Sequence, residues 1–144
     1  MTRGWTLTEM IVMLVLLGSL TMMVIPSLGG WPDRWAVRRA RHEAAGFFRL
    51  ARLGAMVQAA PVRLSFTVDS LTAVLELPAG DSTLLRREGP GRHGVSLQVT
   101  RATIRIAPTG LGSGNANTTL VFHRGQAVDS LVVSRLGRLR IGYP

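Results

Sequence analysis

The chain has 144 residues and a formal net charge of +9, set by 17 basic residues, every one an arginine, against 8 acidic ones. It has no cysteine, which excludes disulfides, cysteine-ligated zinc, iron–sulfur clusters and thiol catalysis, so the fold must be held by packing alone. The length fits one domain plus an appended segment, and the guanidinium is a planar fork of donors suited to phosphate or carboxylate, although a GC-rich genome accounts better for a composition without lysine.

The chain opens on a short polar leader, Met1 to Gly4, followed by an apolar run. From Trp5 to Ile25 there are 21 residues and one charge, Glu9. As a helix at about 1.5 Å per residue the run measures about 31 Å, the thickness of a bilayer core. It therefore predicts a transmembrane helix over 5–25, closed by Pro26. An ionised group inside hydrocarbon costs a few kcal/mol or more, so Glu9 is a candidate functional residue. A secretory signal would have a shorter apolar region with a small-x-small cleavage site after it, and this run does not match. Arg34, Arg38, Arg39 and Arg41 follow the run while only Arg3 precedes it. By the positive-inside rule alone, the C-terminal side would be cytoplasmic.

Residues 26–58 read as a break and then an amphipathic helix. Ser27 to Pro32 contains two glycines and a proline, which interrupt a helix, and Pro32 is placed to start the next one with Asp33 against its positive N-terminal dipole. Ala36, Ala40, Ala44, Phe47, Phe48, Ala51 and Ala55 recur at spacings of three and four, a stripe of small and aromatic residues for a sheet to pack on. Arg34, Arg38, Arg41, Arg49 and Arg52 fall largely off the stripe and read as a solvated face, or as a contact for acidic lipid headgroups or a partner protein.

From residue 59 the pattern is that of a β-rich domain. Val62 to Val68 alternates, Asp69-Ser70 is a turn signal and Leu71 to Leu77 returns, which predicts a hairpin. Residues 78–94 read as a polar loop. Strands follow over 95–99, 102–107, 118–122, 127–134 and 138–141, with a glycine- and asparagine-rich loop at 108–117 and a turn at 124–126. One long helix followed by six or seven antiparallel strands predicts an α+β fold with the sheet packed on the alanine and phenylalanine stripe. Enzyme signals are weak. His42, His93 and His123 lack metal-ligand spacing, and His123, Asp129 and Ser130 or Ser134 form a triad only in composition, with no nucleophile elbow. Gly110, Gly112 and Gly114 precede a strand rather than a helix, unlike a dinucleotide fingerprint.

Three stretches carry a resemblance. Gly4-Trp5-Thr6-Leu7-Thr8-Glu9 with its apolar run resembles the N-terminal signal of type IV pilins and pseudopilins, with Trp5 where phenylalanine is usual and Thr8 where a branched aliphatic residue is usual. Ile104 to Gly110 and Leu131 to Arg140, the latter ending Ser-Arg-Leu-Gly-Arg-Leu-Arg, resemble the GspH/FimT-like branch, as do Ala51-Arg52 and Pro61-Val62; Ala107 replaces an aromatic residue. The resemblance spans nearly the whole chain. It implies a pilin-like α+β fold, with a long N-terminal helix, half transmembrane and half amphipathic, on an antiparallel sheet domain. It also implies cleavage by a prepilin peptidase between Gly4 and Trp5, N-methylation at Trp5, and Glu9 pairing with the α-amine of a neighbouring subunit to set register.

On this resemblance the leader is cytoplasmic and the body extracytoplasmic, which outweighs the arginine count because processing needs the leader inside. The expected protein is no enzyme and has no cofactor or metal. It is a single-pass inner-membrane subunit whose partners are the peptidase, membrane lipid and other pseudopilins or pilins. The implied role is that of a minor pseudopilin of type II secretion. The alternative is a FimT-like minor pilin that binds DNA through Arg135, Arg138 and Arg140, contacting phosphates without reading bases. Arg138 and Arg140 share one face of a strand, and a bulge at Gly137 brings Arg135 to them. The same arginines equally suit an edge strand guarded against pairing.

Overall fold

The computed structural model describes residues 6–24 and 30–142. The leader at 1–4, the Gly4–Trp5 junction, Ile25, Pro26 and residues 27–29 of the expected break lie outside the described residues. The chain divides into two units, Met1–Pro32 and Asp33–Pro144.

In the first unit α1 runs from Leu7 to Val24, 18 residues with one acidic residue, Glu9, in the first turn. Among the described residues no helix is long and apolar enough to cross a membrane. The apolar side chains of α1 from Leu7 to Leu20 are exposed.

The second helix, α2, runs from Trp31 to Val57 with Asp33 in its first turn. Proline is tolerated in a first helical turn because its missing N–H would have had no partner there. Its buried face is Val37, Ala40, Arg41, Ala44, Phe47, Phe48, Ala51 and Ala55. The expected stripe is there with two changes: Val37 takes the fully buried place expected for Ala36, and Arg41 lies inside it. The helix ends in a Schellman-type turn. Ala60 N–H donates to the Ala55 carbonyl and Ala59 N–H to that of Met56. Ala59 takes the left-handed conformation, φ 47°, which usually falls to glycine.

Nine strands follow among the described residues: β1 (Val62–Phe66), β2 (Ser70–Leu75), β3 (Ser82–Glu88), β4 (Ser96–Val99), β5 (Thr103–Ile106), β6 (Gly112–Ser113), β7 (Thr118–Arg124), β8 (Ala127–Val133) and β9 (Leu139–Gly142). They form two sheets, in the orders β3-β2-β1-β5-β6 and β4-β7-β8-β9, with every pairing antiparallel. Two expectations are corrected here. The strands make two sheets rather than one, because the chain leaves the first sheet after β3, returns for β5 and β6, and leaves again for β7. Residues 78–94 are not a loop, since they hold β3 and a short 3-10 helix, Pro90–His93. β3 lacks alternation because it is an edge strand, exposed along most of its length, and only Leu84 and Leu85 pack against the core. Its pairing with β2 decides its conformation, with a shift of register between Ala73 and Val74.

Period-two patterning places Val62, Leu64 and Phe66 of β1, Leu71, Ala73 and Leu75 of β2, and Ile104 and Ile106 of β5 on one inner face. Leu120 and Phe122 of β7 and Leu131 and Val133 of β8 supply the other. Both faces and the α2 stripe form one hydrophobic cluster. Inside it the rings of Phe47 and Phe66 meet edge to face, 6.1 Å between centroids and 77° between planes. Alanines at 40, 44, 51 and 55 keep the helix close to the strands, while the phenylalanines fill the space between.

Candidate functional site

At the N-terminal end the structure gives Glu9 a local partner. Thr6 is the residue before α1, and its N–H and hydroxyl both donate to Glu9 Oε2, at 2.9 and 3.0 Å. In return Glu9 N–H points to Thr6 Oγ1 at 3.4 Å. This is a capping box, in which a threonine and a glutamate three residues on satisfy each other's free N–H groups. The sequence Thr6-Leu7-Thr8-Glu9 carries that signal, and reading Glu9 only as an intramembrane charge misses it. Glu9 Oε1 has no partner among the described residues, so the carboxylate caps its own helix with one oxygen and leaves the other open. Gly4 and Trp5 lie outside the described residues.

The arginines at the other end of the chain sit on a hairpin. Ser134 N–H donates to the Arg138 carbonyl and Gly137 N–H to the Ser134 carbonyl, each at 2.9 Å. Gly137 has φ 74°. A type I turn followed by a left-handed glycine is the usual three-residue hairpin connection, and here it joins β8 to β9. The turn is Arg135-Leu136-Gly137, so Arg135 opens it, Arg138 follows it and Arg140 lies in β9 opposite Val132. All three arginines are exposed. None makes an ion pair with a carboxylate among the described residues.

The turn is held from two sides. Arg135 accepts the Gly112 N–H at its carbonyl, 2.7 Å, and donates its own N–H to Asn117 Oδ1. From α2, Arg52 donates Nε to the Gly110 carbonyl at 2.8 Å and Nη1 to the Gly137 carbonyl at 3.2 Å. Both acceptors belong to glycines in the left-handed region, which L side chains rarely adopt, and side chains of α2 lie close over each. A Cβ on Gly137 would stand 2.8 Å from Arg52 Cζ, and one on Gly110 would stand 2.8 Å from Met56 Sδ. Three separate stretches of the sequence, Ala51-Arg52, Pro108-Thr-Gly110 and Ser134-to-Arg138, thus converge on one guanidinium. Arg52 does not belong to a solvated face, which corrects the reading from periodicity. It positions the arginine turn.

Arg41 is corrected in the same way. Its Nη1 lies 2.6 Å from Asp129 Oδ2, with the two side chains 10% and 9% exposed. The pair joins α2 to β8. Asp129 is thereby occupied, and because Phe122 pairs with Asp129 while His123 pairs with Val128, the His123 and Asp129 side chains leave opposite faces of the sheet. The residues of the imagined triad are not brought together. Among the described residues no group of three or more histidine, aspartate or glutamate side chains is arranged to hold a metal ion.

On the helix side Glu43 accepts from His93 at 3.0 Å and Arg39 at 3.2 Å. Burial alone would raise its carboxyl, but the hydrogen bonds from His93 and Arg39 hold it below the ordinary value. On the outer face of the first sheet, Glu76 bridges Arg63, at 2.8 Å, and Arg105. The hydrogen bond from Arg63 is the main cause of its lowered carboxyl pKa.

Comparison with known proteins agrees with this geometry. The family model described as type II transport protein GspH matches residues 40–137. The match takes in most of α2, both sheets through β8 and the turn glycine; it stops before Arg138 and Arg140. No curated protein matches the chain. The solved structure of the type IV minor pilin FimU from Pseudomonas aeruginosa superimposes with a TM-score of 0.62 at 14% identity, covering 74% of this chain and 88% of that one. The minor pseudopilin EpsH from the Type 2 Secretion System of Vibrio cholerae gives 0.59 at 13% identity, covering 73% and 94%. At such identities the likeness is one of fold.

Proposed function

Because the chain belongs to the type II transport protein GspH family, whose model it matches over residues 40–137, we propose that it is a minor pseudopilin of a type II secretion pseudopilus. The family consists of minor pseudopilins and pilins, structural subunits that assemble into an extracytoplasmic filament. The family match is the observation that carries the secretion reading. The mechanism is assembly. Prepilin peptidase cuts between Gly4 and Trp5, and Trp5 becomes the methylated N-terminus. The apolar run from Trp5 to Ile25 holds the subunit in the lipid of the inner membrane and then packs in the filament. Glu9 accepts the α-amine of a neighbouring subunit, with register set by the pairing of two charges that are each costly to bury alone. The capping of α1 by Glu9 Oε2 alone supports this, since Oε1 has no partner among the described residues and is an acceptor for a second group.

A specific observation favours a second reading. Arg135, Arg138 and Arg140 are exposed, without carboxylate partners among the described residues, and set on a turn braced by Arg52. That arrangement suits phosphate contacts, and a FimT-like minor pilin of a type IV pilus would use it to bind DNA. Two experiments separate the readings. Deletion of the gene should abolish export of folded proteins while leaving pili assembled; loss of pili with export intact would sink the secretion assignment. DNA binding by the full chain in detergent is then measured across a salt series. Binding through three arginines falls steeply as salt rises, by a log–log slope of about 2–3 for a duplex. Such binding, lost in Arg138→Ala/Arg140→Ala, would establish the pilus reading, whereas no binding, or binding indifferent to that variant, leaves these arginines as guards of the β9 edge.

A further inference from the structure

Four arginines follow the apolar run closely, and the structure sorts them into two kinds. Arg39 is paired with Glu43 at 3.2 Å, and Arg41 with Asp129 at 2.6 Å. Arg34 and Arg38 are exposed and make no ion pair among the described residues. They stand four residues apart, so their side chains leave the same face of α2 on successive turns. The nearby carboxylates have other partners, since Asp33 binds Arg124 at 2.9 Å and Asp129 is held by Arg41. The two free guanidinium groups line a groove of about 290 Å³ between α2 and the start of β8, with Gln126, Ala127 and Val128 on its far wall. Trp35, between them in sequence and three residues from Arg38, is 62% exposed.

Two forked cations, an amide, a short apolar wall and an adjacent indole form a mixed surface. Solvated helix faces carry charge but have no need of a large exposed indole. Trp beside Arg is the composition of side chains that sit at the level of lipid headgroups, with the ring among the glycerol and upper acyl groups and the cation on phosphate. In sequence Arg34 lies ten residues past Val24, the last residue of α1. The arginine count after that run is also reconciled with an extracytoplasmic body. Two of the four positive charges are paired with carboxylates, Arg41 inside the fold and Arg39 at the surface, which leaves Arg34 and Arg38 as the two without a carboxylate partner among the described residues.

We propose that the groove of Arg34 and Arg38 binds the phosphate of an anionic phospholipid in the outer leaflet, docking the folded domain on the membrane until the subunit enters the filament. The proposal rests on the membrane-anchored reading above. Attraction of a basic side chain to an anionic surface amounts to about a fivefold effect each, so the pair contributes on the order of 25-fold.

The test uses the full chain in lipid nanodiscs, with Trp5→Phe and Trp31→Phe so that Trp35 alone reports, and a nitroxide quencher on the headgroups. Trp35 quenching should be several-fold stronger in discs containing phosphatidylglycerol than in phosphatidylcholine alone. It should fall to the phosphatidylcholine level in Arg34→Gln/Arg38→Gln and be unchanged in Arg39→Gln, whose arginine is paired. Equal quenching in both discs, or indifference to the double variant, would overturn the proposal while the anchor stands. Loss of quenching on adding inorganic phosphate at constant ionic strength would reassign the groove to soluble phosphate. Failure of the chain to stay with the discs in alkaline carbonate would overturn the anchor and this proposal together.

Discussion

Arg52 shows how much one side chain can organise. Its two hydrogen bonds go to carbonyls 58 and 85 residues away in sequence. Each acceptor belongs to a glycine in the left-handed region. Lysine would keep the charge but not the fork, so Arg52→Lys should behave nearly like Arg52→Ala. Both are expected to cost about 1–3 kcal/mol in thermal or urea unfolding and to speed amide exchange at Gly112 and Gly137, since each loses hydrogen bonds from a charged donor. Rescue by lysine would mean the guanidinium geometry is not what matters. Arg41 and Asp129 pose a different case. Removing either partner leaves a buried charge unpaired, at about 3–5 kcal/mol, whereas replacing both by apolar residues is often near neutral. Arg41→Met alone should therefore be far worse than Arg41→Met/Asp129→Leu, as read by unfolding midpoints. A double variant as unstable as the single would show that the pair contributes net stability beyond its own desolvation.

At the scale of elements, the first sheet carries a conflict and its resolution. Arg63 of β1 lies directly opposite Arg105 of β5, a pairing of like charges that weakens an antiparallel ladder. Glu76, just past β2, accepts from Arg63 and forms an ion pair with Arg105, and Asp81 takes the second side of Arg63 at 2.9 Å. The Glu76 carboxyl is consequently depressed below its ordinary 4.5, mainly by the hydrogen bond from Arg63. A carboxyl whose folded pKa lies below its unfolded pKa adds stability that is fully present above the unfolded value and is lost as pH falls through the folded one. The melting temperature should thus fall as pH drops from about 5 toward about 3, with part of the slope due to Glu76. Glu76→Gln should melt lower at neutral pH and show a shallower fall over that window. The cost at neutral pH should be modest, about 1 kcal/mol or less, because both arginines are about half exposed. An unchanged slope in the variant would place the acid sensitivity elsewhere, with Glu43 the next carboxyl to test.

At the scale of the whole molecule, a filament subunit must fold as a domain and also pack through its N-terminal segment. Glu9 caps α1 and, on the assembly role proposed above, also sets register, and one substitution separates the two. Gln at the third position of a capping box still reaches back to the N–H of the capping residue, so Glu9→Gln keeps the start of α1 but removes the charge. The expected outcome is helix content unchanged by circular dichroism, with cross-linking into filaments lost. Filaments that form normally with Gln would show that the capping hydrogen bonds, and not the charge, are what assembly requires. The second unit has its own core of two sheets on one helix, in which Phe47 is fully buried and Ala44, Ala51 and Ala55 admit the strands.

Much of this was present in the order of residues alone. Period-two alternation in β1, β2, β7 and β8, the three-and-four spacing on α2 and the N-terminal motif are local regularities. The alternation and the spacing placed those elements and the α+β class, because burial of one face imposes its period directly on the sequence, while the family came from the resemblance carried by the N-terminal motif, Ile104 to Gly110 and Leu131 to Arg140. Tertiary structure decided the rest. β3 is a strand only because β2 offers it a ladder, since an edge strand exposed over most of its length has no period to impose. The division into two sheets follows from where β4, β5 and β7 find partners, and no short window contains that choice. Arg41 and Arg52 could not be told from the solvated arginines of α2, because an arginine's surroundings depend on residues 58 to 88 positions away. A long charged side chain off an apolar stripe looks the same in sequence whether it meets water, a buried aspartate or two glycine carbonyls.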